Sequence, residues 1–574
     1  MVSVTLTRRS HVRRFVLLAA VAALALLVGL GLGCATSSGP SGPGDDDGPG
    51  CVIFVDAAYS GDETGTKEQP FNTIDEGVAA ADSGCVVRLA AGTYASARGS
   101  VVVPHLMGFI GAGKGESRVD ATFELAMFTS TDPVRVCSLS CENVVFGIKP
   151  DSTAYAFAPV TISDCHLDAI AETTRAVGPN APFRLIDCEV DGSIDIMNRS
   201  CESARTVRGC SVGGDVLLHQ VAGDTSAVLN STVGGDVSLR TVVGERQTVS
   251  GNTVAGSVKL YGVSIDEQAI ESNTVSGDSL YTWSMSCDRT TVTGNAVPNA
   301  AISCTGTSSS DLSVDDNVLA GAGIVVIAKA TYGSISGNSV TLPRYGDDGI
   351  RLRARVSDLD ITDNTVAMPY GPPTGVPAEQ DTLAPAAIRA ISVSGPFVRD
   401  NSTTGGTYGV YCLSVSAEVT GNAVSGAHTG IYVRATACDI DDNAVTDCVG
   451  DGLHLGAKAD TMEIAAYFVS ANTLSDNGGA GIRANATAVL GVVSGRTGNT
   501  LTGNGDYDLV VETQASEAET LLAEGNLWDH ATVEDVDLFD VWDGKDDPSL
   551  AVVLLEPLGS GGGALVASRL DPEA

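Results

Sequence analysis

One position in the irregular repeats of the second half of the chain carries side chains that could bind or transform an acidic sugar. In each repeat it lies two residues after a small residue, mostly Gly, that precedes a predicted strand. The residues in this row are Arg351, Arg389, Tyr411, Tyr432, His454 and Arg483, and Arg434 follows Tyr432 by two positions. Arg pairs with carboxylates and aromatic rings offer flat faces, so we predict that these residues bind an acidic polysaccharide. The equivalent positions of the regular repeats show no such bias: Leu217, Ser238 and Lys259.

The row also contains the groups needed for β-elimination from a uronate. Tyr432 or His454 would be the base, and Arg434 or Arg483 would neutralise the carboxylate. The catalytic candidates are therefore Tyr432, His454 and Arg483. The alternative is that these are ordinary polar positions on the outside of a sheet, where Tyr is favoured by its strand propensity. The row alone leaves open whether the protein is an enzyme.

The elements that position this row are repeats of fixed length. Between residues 206 and 338, a polar residue precedes a small-apolar pair in every repeat, at steps of 21, 21, 21, 22, 22 and 21 residues. The marker residues are Cys210, Ser231, Asn252, Asn273, Asn295, Asn317 and Asn338. A period of this length indicates a solenoid, which grows by addition and can use a chain of 574 residues in one body.

Each repeat alternates apolar and polar residues with the period of a strand, and Gly residues punctuate it. A leucine-rich repeat does not fit, because its apolar position five residues before Asn is here occupied by Gln247, Gln268, Thr290 and Gly333. A parallel β-helix remains, with coils about 4.8 Å apart. Asn suits the repeated turn because it tolerates left-handed backbone angles and its amide can bond to those above and below.

With this coil length and Asn ladder, the chain resembles the right-handed parallel β-helix proteins of the pectin-lyase-like group. The resemblance implies an all-β, right-handed parallel β-helix of 21–22 residues per coil with short capping helices at both ends. Beyond Asn338 the ladder continues at uneven steps through Asn364, Asn401, Asn422, Asn443, Asn472 and Asn499. Insertions therefore cluster in this region, and the Pro-rich stretch from Pro369 to Pro385 is predicted to be a surface loop.

Two acidic motifs in this region, DDG at 347–349 and GDGLH at 450–454, resemble those of the polygalacturonase-type glycoside hydrolases. Asp348 and Asp451 are predicted to lie about 19 Å apart at one strand spacing per coil. A glycosidase needs its two carboxylates within roughly 10 Å. Asp before Gly is also common in turns. A hydrolase is therefore less well supported than a lyase.

The N-terminus resembles a bacterial lipoprotein signal peptide. Four Arg residues precede an apolar run from Phe15 to Gly33, which ends at Cys34. The resemblance implies cleavage before Cys34 and lipidation of its thiol, so we expect an exported protein anchored to the cell envelope, at the outer membrane or cell surface. The alternative is an uncleaved anchor, because the run nearly spans a bilayer. Residues 1–34 are thus the signal peptide and 35–50 a flexible tether.

Both ends of the predicted β-helix resemble closing units of secreted bacterial β-helix proteins. Residues 51–94 resemble a DUF1565-like N-terminal unit, with two strands around an amphipathic helix. Such units cover the open strand edges and apolar interior of a solenoid. We expect the N-terminal cap and first coils at 51–125, the body at 126–510, the C-terminal cap at 511–560 and a tail at 561–574. In the C-terminal cap, the residues expected to face the core are Val533, Val536, Phe539 and Val541.

The chain has 14 Cys, which in an exported protein without paired metal-ligand spacing indicate disulfides. Cys51 and Cys85 stand at the starts of the two strands of the cap, and we predict a disulfide between them. Cys165, Cys188 and Cys210 occupy one row in successive coils, within disulfide reach. Two of these three could pair, or all could stay reduced as small core residues.

The acidic composition limits the partners. A net charge of −37 and a pI near 4.3 argue against nucleic acid. We expect a monomer without metal or cofactor; Ca²⁺ could bind the Asp215, Asp236 and Asp278 rows, but such residues are more often solvated turns. The sequence favours a non-catalytic cell-envelope lipoprotein that binds polysaccharide or serves as a surface scaffold. The alternative is a polysaccharide lyase or glycoside hydrolase acting on an acidic glycan.

Overall fold

The described part of the chain folds as a parallel β-helix, as the sequence predicted. The computed structural model describes residues 51–103, 106–125, 134–146, 159–172, 182–198, 204–354, 358–370, 384–392, 395–456, 466–485, 488–490, 498–505, 507–512, 520–543 and 545–555. Within these ranges 48 strands form one sheet with parallel pairing. No helix among these residues is both long and apolar enough to cross a membrane. Cys34, the tether and the predicted tail lie outside the described residues.

The first coils and the regular coils differ in strand length. The strands before residue 204 are Val52–Val55, Val86–Leu89, Gly92–Val103, Gly108–Ile110, Ser117–Leu125, Val134–Cys137, Ser140–Phe146, Val160–Ser163, His166–Glu172, Phe183–Ile186, Glu189–Val190 and Ile194–Asn198. The regular coils alternate long and short strands: Arg205–Arg208, Ser211–Val212, Val216–Leu229, Thr232–Val233, Val237–Ser250, Thr253–Val254, Val258–Glu271, Thr274–Val275, Ser279–Thr293, Ala296–Val297, Ala301–Asp315, Val318–Leu319, Ile324–Ser336 and Ser339–Thr341.

The irregular coils are built of shorter strands, mostly three to a coil, separated by insertions. They are Ile350–Ala354, Asp358–Thr362, Thr365–Tyr370, Ala386–Ser392, Pro396–Arg399, Ser402–Gly406, Tyr408–Leu413, Ser416–Thr420, Ala423–Ser425, Thr429–Arg434, Ala437–Asp441, Ala444–Thr446, Leu453–Leu455, Ala466–Ser470, Thr473–Ser475, Ile482–Ala484, Ala488–Leu490, Thr500–Thr502, Leu509–Val511, Thr520–Leu522, Val541–Trp542 and Val552–Leu554.

Aliphatic side chains stack in register along the interior. One such row runs through coil after coil at paired strand positions, and every member is at most 1% exposed. Its members are Val216, Val237, Val258, Leu280, Ile302, Ile324, Ile350, Ile388, Val410, Ile431, Leu453, Ile482, Leu509 and Val541. Because each coil buries its apolar face against its neighbours, the register of every outward residue is fixed as well.

The Asn ladder is buried and continuously hydrogen-bonded. Asn401 is typical: its Nδ2 donates to Asn422 Oδ1 at 2.9 Å, and its Oδ1 accepts from Asn364 Nδ2 at 2.9 Å. The left-handed residue of the turn is the one before the ladder position, as at Gly251 (φ 70°) and Asp316 (φ 56°). The expectation that the Asn itself takes this conformation is therefore wrong. The Asn serves the turn through its side chain.

A helix lies near each end of the described β-helix. At the N-terminal end, α1 (Ile74–Ala80) starts at Thr73, whose Oγ1 accepts from the Glu76 backbone N–H at 3.3 Å. Ile74 and Val78 point into the core. At the C-terminal end, α2 (Val533–Asp535) continues into a π-helical turn, Val536–Asp540. Phe539 lies on the outward side of this wider turn and is 54% exposed, so the prediction that Phe539 faces the core is wrong.

Among the described residues, the cysteines include a disulfide in the cap, a further disulfide-bonded residue, Cys137, and a set of buried thiols. Cys51 and Cys85 are disulfide-bonded, with Cα atoms 4.5 Å apart, between the first strands of the cap. Cys165, Cys188 and Cys210 are buried and reduced. In the structure these three cysteines are therefore small core residues rather than disulfide partners.

Candidate functional site

The predicted row exists as a row of paired residues in six successive coils. Arg351 pairs with Arg389, and Arg389 with Tyr411. The pairing continues from Tyr411 to Tyr432, from Tyr432 to His454 and from His454 to Arg483. The irregular insertions therefore leave the strand register intact. Arg434 ends the strand that contains Tyr432 and pairs in register with Leu413, so it lies beside the row.

The row is not the open surface that its outward direction suggested. Arg389 and Tyr411 are each 1% exposed and Tyr432 is 0% exposed. The side chains of Tyr411 and Tyr432 form a second apolar cluster with Tyr408 and two Ala residues, separate from the interior core. The expectation of accessible Tyr faces is thus wrong, because the side chains of Tyr411 and Tyr432 are covered by their neighbours. Towards the ends, exposure rises to 42% for the Arg351 side chain and 22% for the Arg483 side chain.

The members of the row stack on one another. The guanidinium carbon of Arg389 lies 4.5 Å from the Tyr411 ring centroid. The Tyr411 and Tyr432 rings are parallel to within 16°, with centroids 5.0 Å apart. Tyr432 in turn lies 5.2 Å from the His454 ring. These distances are those of favourable cation–π and aromatic contacts, so the row is a continuous packed column.

Asp348 neutralises the first end of the column. Arg389 Nε lies 3.0 Å from both carboxylate oxygens of Asp348, and Arg351 Nε lies 3.4 Å from one of them. Asp348 Oδ1 also accepts from the backbone N–H of Ala386 at 2.8 Å. One carboxylate from the preceding coil therefore fixes both a strand start and a buried Arg.

Asp451 does the same at the other end. Arg483 Nε donates to Asp451 Oδ2 at 2.7 Å, and the Ala480 backbone N–H donates to Oδ1 at 3.0 Å. Arg483 Nη1 also reaches Glu512 Oε1 at 2.9 Å. Burial acts to raise the pKa of Asp451, but contacts with His454 and Arg483 outweigh it, so the pKa lies well below its usual range. Asp451 is therefore ionised at any physiological pH.

His454 contacts a carboxylate through one of its two ring nitrogens. Its Nδ1 lies 3.6 Å from Asp451 Oδ2. Its Nε2 is buried and has no hydrogen-bond partner within the described part of the chain. A carboxylate therefore faces one nitrogen of the imidazole, and the other nitrogen, Nε2, is buried. A carboxylate that orients an imidazole in this way is typical of a general base.

The partners Asp348 and Asp451 were visible in the sequence, but as catalytic motifs rather than as partners of Arg. Each Asp lies in the turn before one coil, and its carboxylate binds the Arg of the following coil. The signal that could have identified this role is their common position: DDG and GDG both lead into the strand that carries the row. Glu512, the second partner of Arg483, had no comparable signal.

The Asp rows of the regular coils are turn residues. Asp215 Oδ1 accepts from the Asp236 backbone N–H, and Asp236 Oδ1 from that of Ser257, both at 2.7 Å. Asp236 Oδ2 also binds Lys259 Nζ at 2.7 Å. The carboxylates of Asp215 and Asp236 thus each bond to the turn of the next coil.

The fold and the site define a parallel β-helix protein whose outward row is packed and ion-paired. A family model described as a protein of unknown function, DUF1565, matches residues 291–534, which include the whole row. The match does not cover residues 51–94, so the placement of that family at the N-terminus is not confirmed. No curated protein matches the chain.

Among solved structures, the A-module of the mannuronan C-5 epimerase AlgE6 of Azotobacter vinelandii is similar at 11% identity. The similarity covers 85% of this chain and 94% of that one, with a TM-score of 0.13. A TM-score this low carries no information about the site or its chemistry.

Proposed function

We propose that this protein is a non-catalytic lipoprotein of the bacterial cell envelope whose β-helix body serves as an extended scaffold. The observation that supports this most is the packed column from Arg389 to His454. Its aromatic rings stack on each other, which leaves Tyr411 and Tyr432 no exposed face for a sugar. A scaffold needs rigidity along its length, and cross-coil stacking supplies it.

The ion pairs support the same proposal. Elimination from a uronate needs a cation that is available to the substrate carboxylate. Arg389 is already bound to Asp348, and Arg483 to Asp451 and Glu512. A substrate would have to displace these internal carboxylates, which are held at short distances and partly desolvated. Polysaccharide binding through Tyr432 and Arg483 has less support for the same reason.

One observation favours a second candidate, a polysaccharide lyase acting on an acidic glycan. His454 faces Asp451 through Nδ1 and keeps Nε2 without a partner in the described residues. Tyr432 lies beside it. These are the groups of a base and its orienting carboxylate. The burial of Tyr432 and the bound state of Arg483 weigh against this candidate.

Cell-envelope anchoring is tested at Cys34. The full chain and its Cys34→Ser variant are expressed in bacteria supplied with labelled fatty acid, and the cells are then fractionated. The wild type is expected to carry the label and to stay with the membrane, whereas Cys34→Ser should remain unlabelled and unprocessed. Equal labelling of the two forms would contradict a lipid anchor at Cys34.

A further inference from the structure

Three carboxylates meet at the C-terminal end of the β-helix, away from the row. One carboxylate oxygen from each of Asp508, Asp529 and Asp540 lies within 4.8 Å of the other two. Asp508 is 3% exposed and Asp540 4% exposed, while Asp529 is exposed to solvent. Carboxylates this close repel each other strongly when they are buried. The cluster therefore requires either bound protons or a cation.

Three successive levels of the fold supply these carboxylates. Asp508 precedes the strand Leu509–Val511, and Asp529 follows the turn at Asn526. Asp540 is the last residue of the cap helix. The cluster thus joins two coils to the element that closes the β-helix, which is where a linking ion would stabilise the end of the solenoid.

The hydrogen bonds around the cluster leave one buried oxygen unsatisfied. Asn504 Nδ2 donates to Asp508 Oδ1 at 2.7 Å. Asp508 Oδ2 is buried and has no hydrogen-bond partner among the described residues. A buried carboxylate oxygen without a donor is costly, since nearly all such atoms in folded proteins are paired.

The neighbouring positive charge does not balance the cluster. His530 Nδ1 lies 2.8 Å from Asp540 Oδ1 and supplies one charge at most, against three carboxylates. One imidazole therefore cannot offset the charge of all three carboxylates.

We propose that Asp508, Asp529 and Asp540 bind a divalent cation of the calcium class, which ties the C-terminal cap to the last coils. The potential ligands are all oxygens, as hard cations prefer, and water can complete the coordination. Oxygens on opposite sides of one Ca²⁺ lie roughly 4.8 Å apart. The spacing of the three carboxylates therefore fits one ion between them. The role is structural and is independent of the proposed function.

The test is a calcium titration of the purified full chain after treatment with EDTA. It is done in enough NaCl to screen the strongly acidic surface. The wild type is expected to bind one Ca²⁺ saturably and to unfold at a higher temperature when Ca²⁺ is present. Asp508→Asn and Asp529→Asn are each expected to weaken binding by about tenfold or more and to lose the rise in unfolding temperature. Asp529 is exposed, so its variant should fold even if a change at Asp508 disturbs packing.

Asp537→Asn is the matched control, because Asp537 lies in the same cap helix but outside the cluster. It should bind Ca²⁺ as the wild type does. In EDTA, Asp508→Asn should be at least as stable as the wild type, since it removes a buried charge. Absence of saturable binding to the wild type would overturn the proposal. Wild-type affinity in both Asp508→Asn and Asp529→Asn would overturn it too, since the ion would then lie elsewhere.

Discussion

Arg483 reaches back one coil to Asp451, with Nε 2.7 Å from Oδ2 and Nη2 3.0 Å from Oδ1. Arg389 and Asp348 make the same connection at the other end of the row. In both pairs the carboxylate also accepts a backbone N–H three residues before the Arg. The two ion pairs thus enclose the aromatic column, and together they make a seam between coils rather than a groove.

Loss of the Asp451 carboxylate should destabilise the protein at neutral pH. Asp451→Asn leaves Arg483 with Glu512 alone, and we expect a loss of about 3 kcal/mol in the free energy of unfolding. The pKa of Asp451 is depressed in the folded state. Its contribution to the free energy of unfolding is therefore fully present above the unfolded pKa of about 3.9 and is lost as pH falls from that value through the folded pKa. Urea unfolding of both forms at several pH values measures the difference.

The control for this prediction is Asp447→Asn, because Asp447 is exposed and has a left-handed backbone that Asn tolerates. Its stability should equal that of the wild type at every pH. An Asp451→Asn deficit that stays constant from neutral to acidic pH would show that the effect is not electrostatic.

Truncation of Tyr432 should also cost stability, although its side chain points away from the interior of the β-helix. Tyr432→Ala removes the ring between Tyr411 and His454, and we expect a loss of about 3 kcal/mol. Tyr332→Ala is the control, because Tyr332 is 59% exposed on another strand. Thermal unfolding compares the two variants. Similar unfolding temperatures for both would mean that the column is solvated in solution.

The register of the row could be predicted from the sequence, whereas its burial could not. Register follows from the period, because each ladder Asn and each inward aliphatic residue fixes the neighbouring outward position. Burial depends on which side chains pack over the row, here Tyr408 and two Ala residues, and the period of the repeats carries no information about that. Tyr432 and Tyr332 illustrate the difference: both are outward Tyr residues, but one is buried and the other is 59% exposed.

The ladder itself was predicted nearly completely. It extends one position further than expected, to Asn526, whose Oδ1 accepts from the Asn499 backbone N–H at 2.8 Å. The sequence around Asn526 was interpreted as the start of the C-terminal cap, which concealed its place in the ladder. The acidic cluster at Asp508 was also missed, because its members come from three levels with no common spacing.

A single ladder residue should contribute several hydrogen bonds. Asn401→Ala removes the acceptor of the Asn364 amide and the donor to Ile361 O and Asn422 Oδ1. Leaving these buried groups unsatisfied should cost at least about 2 kcal/mol. Ser402→Ala is the control, because Ser402 follows Asn401 directly and is exposed. Chemical denaturation should separate the two variants, and equal midpoints would contradict a stabilising ladder.

The most direct measurement of the central claim is an incubation of the full chain with acidic polysaccharides, including polymannuronate and polygalacturonate. Ultraviolet absorbance detects the unsaturated end that elimination leaves, and proton NMR detects any other change in the polymer. Because the column is packed and its cations are bound to internal carboxylates, we predict no change in either signal. Absorbance that appears with the wild type and disappears with His454→Ala would contradict the scaffold proposal and establish a lyase.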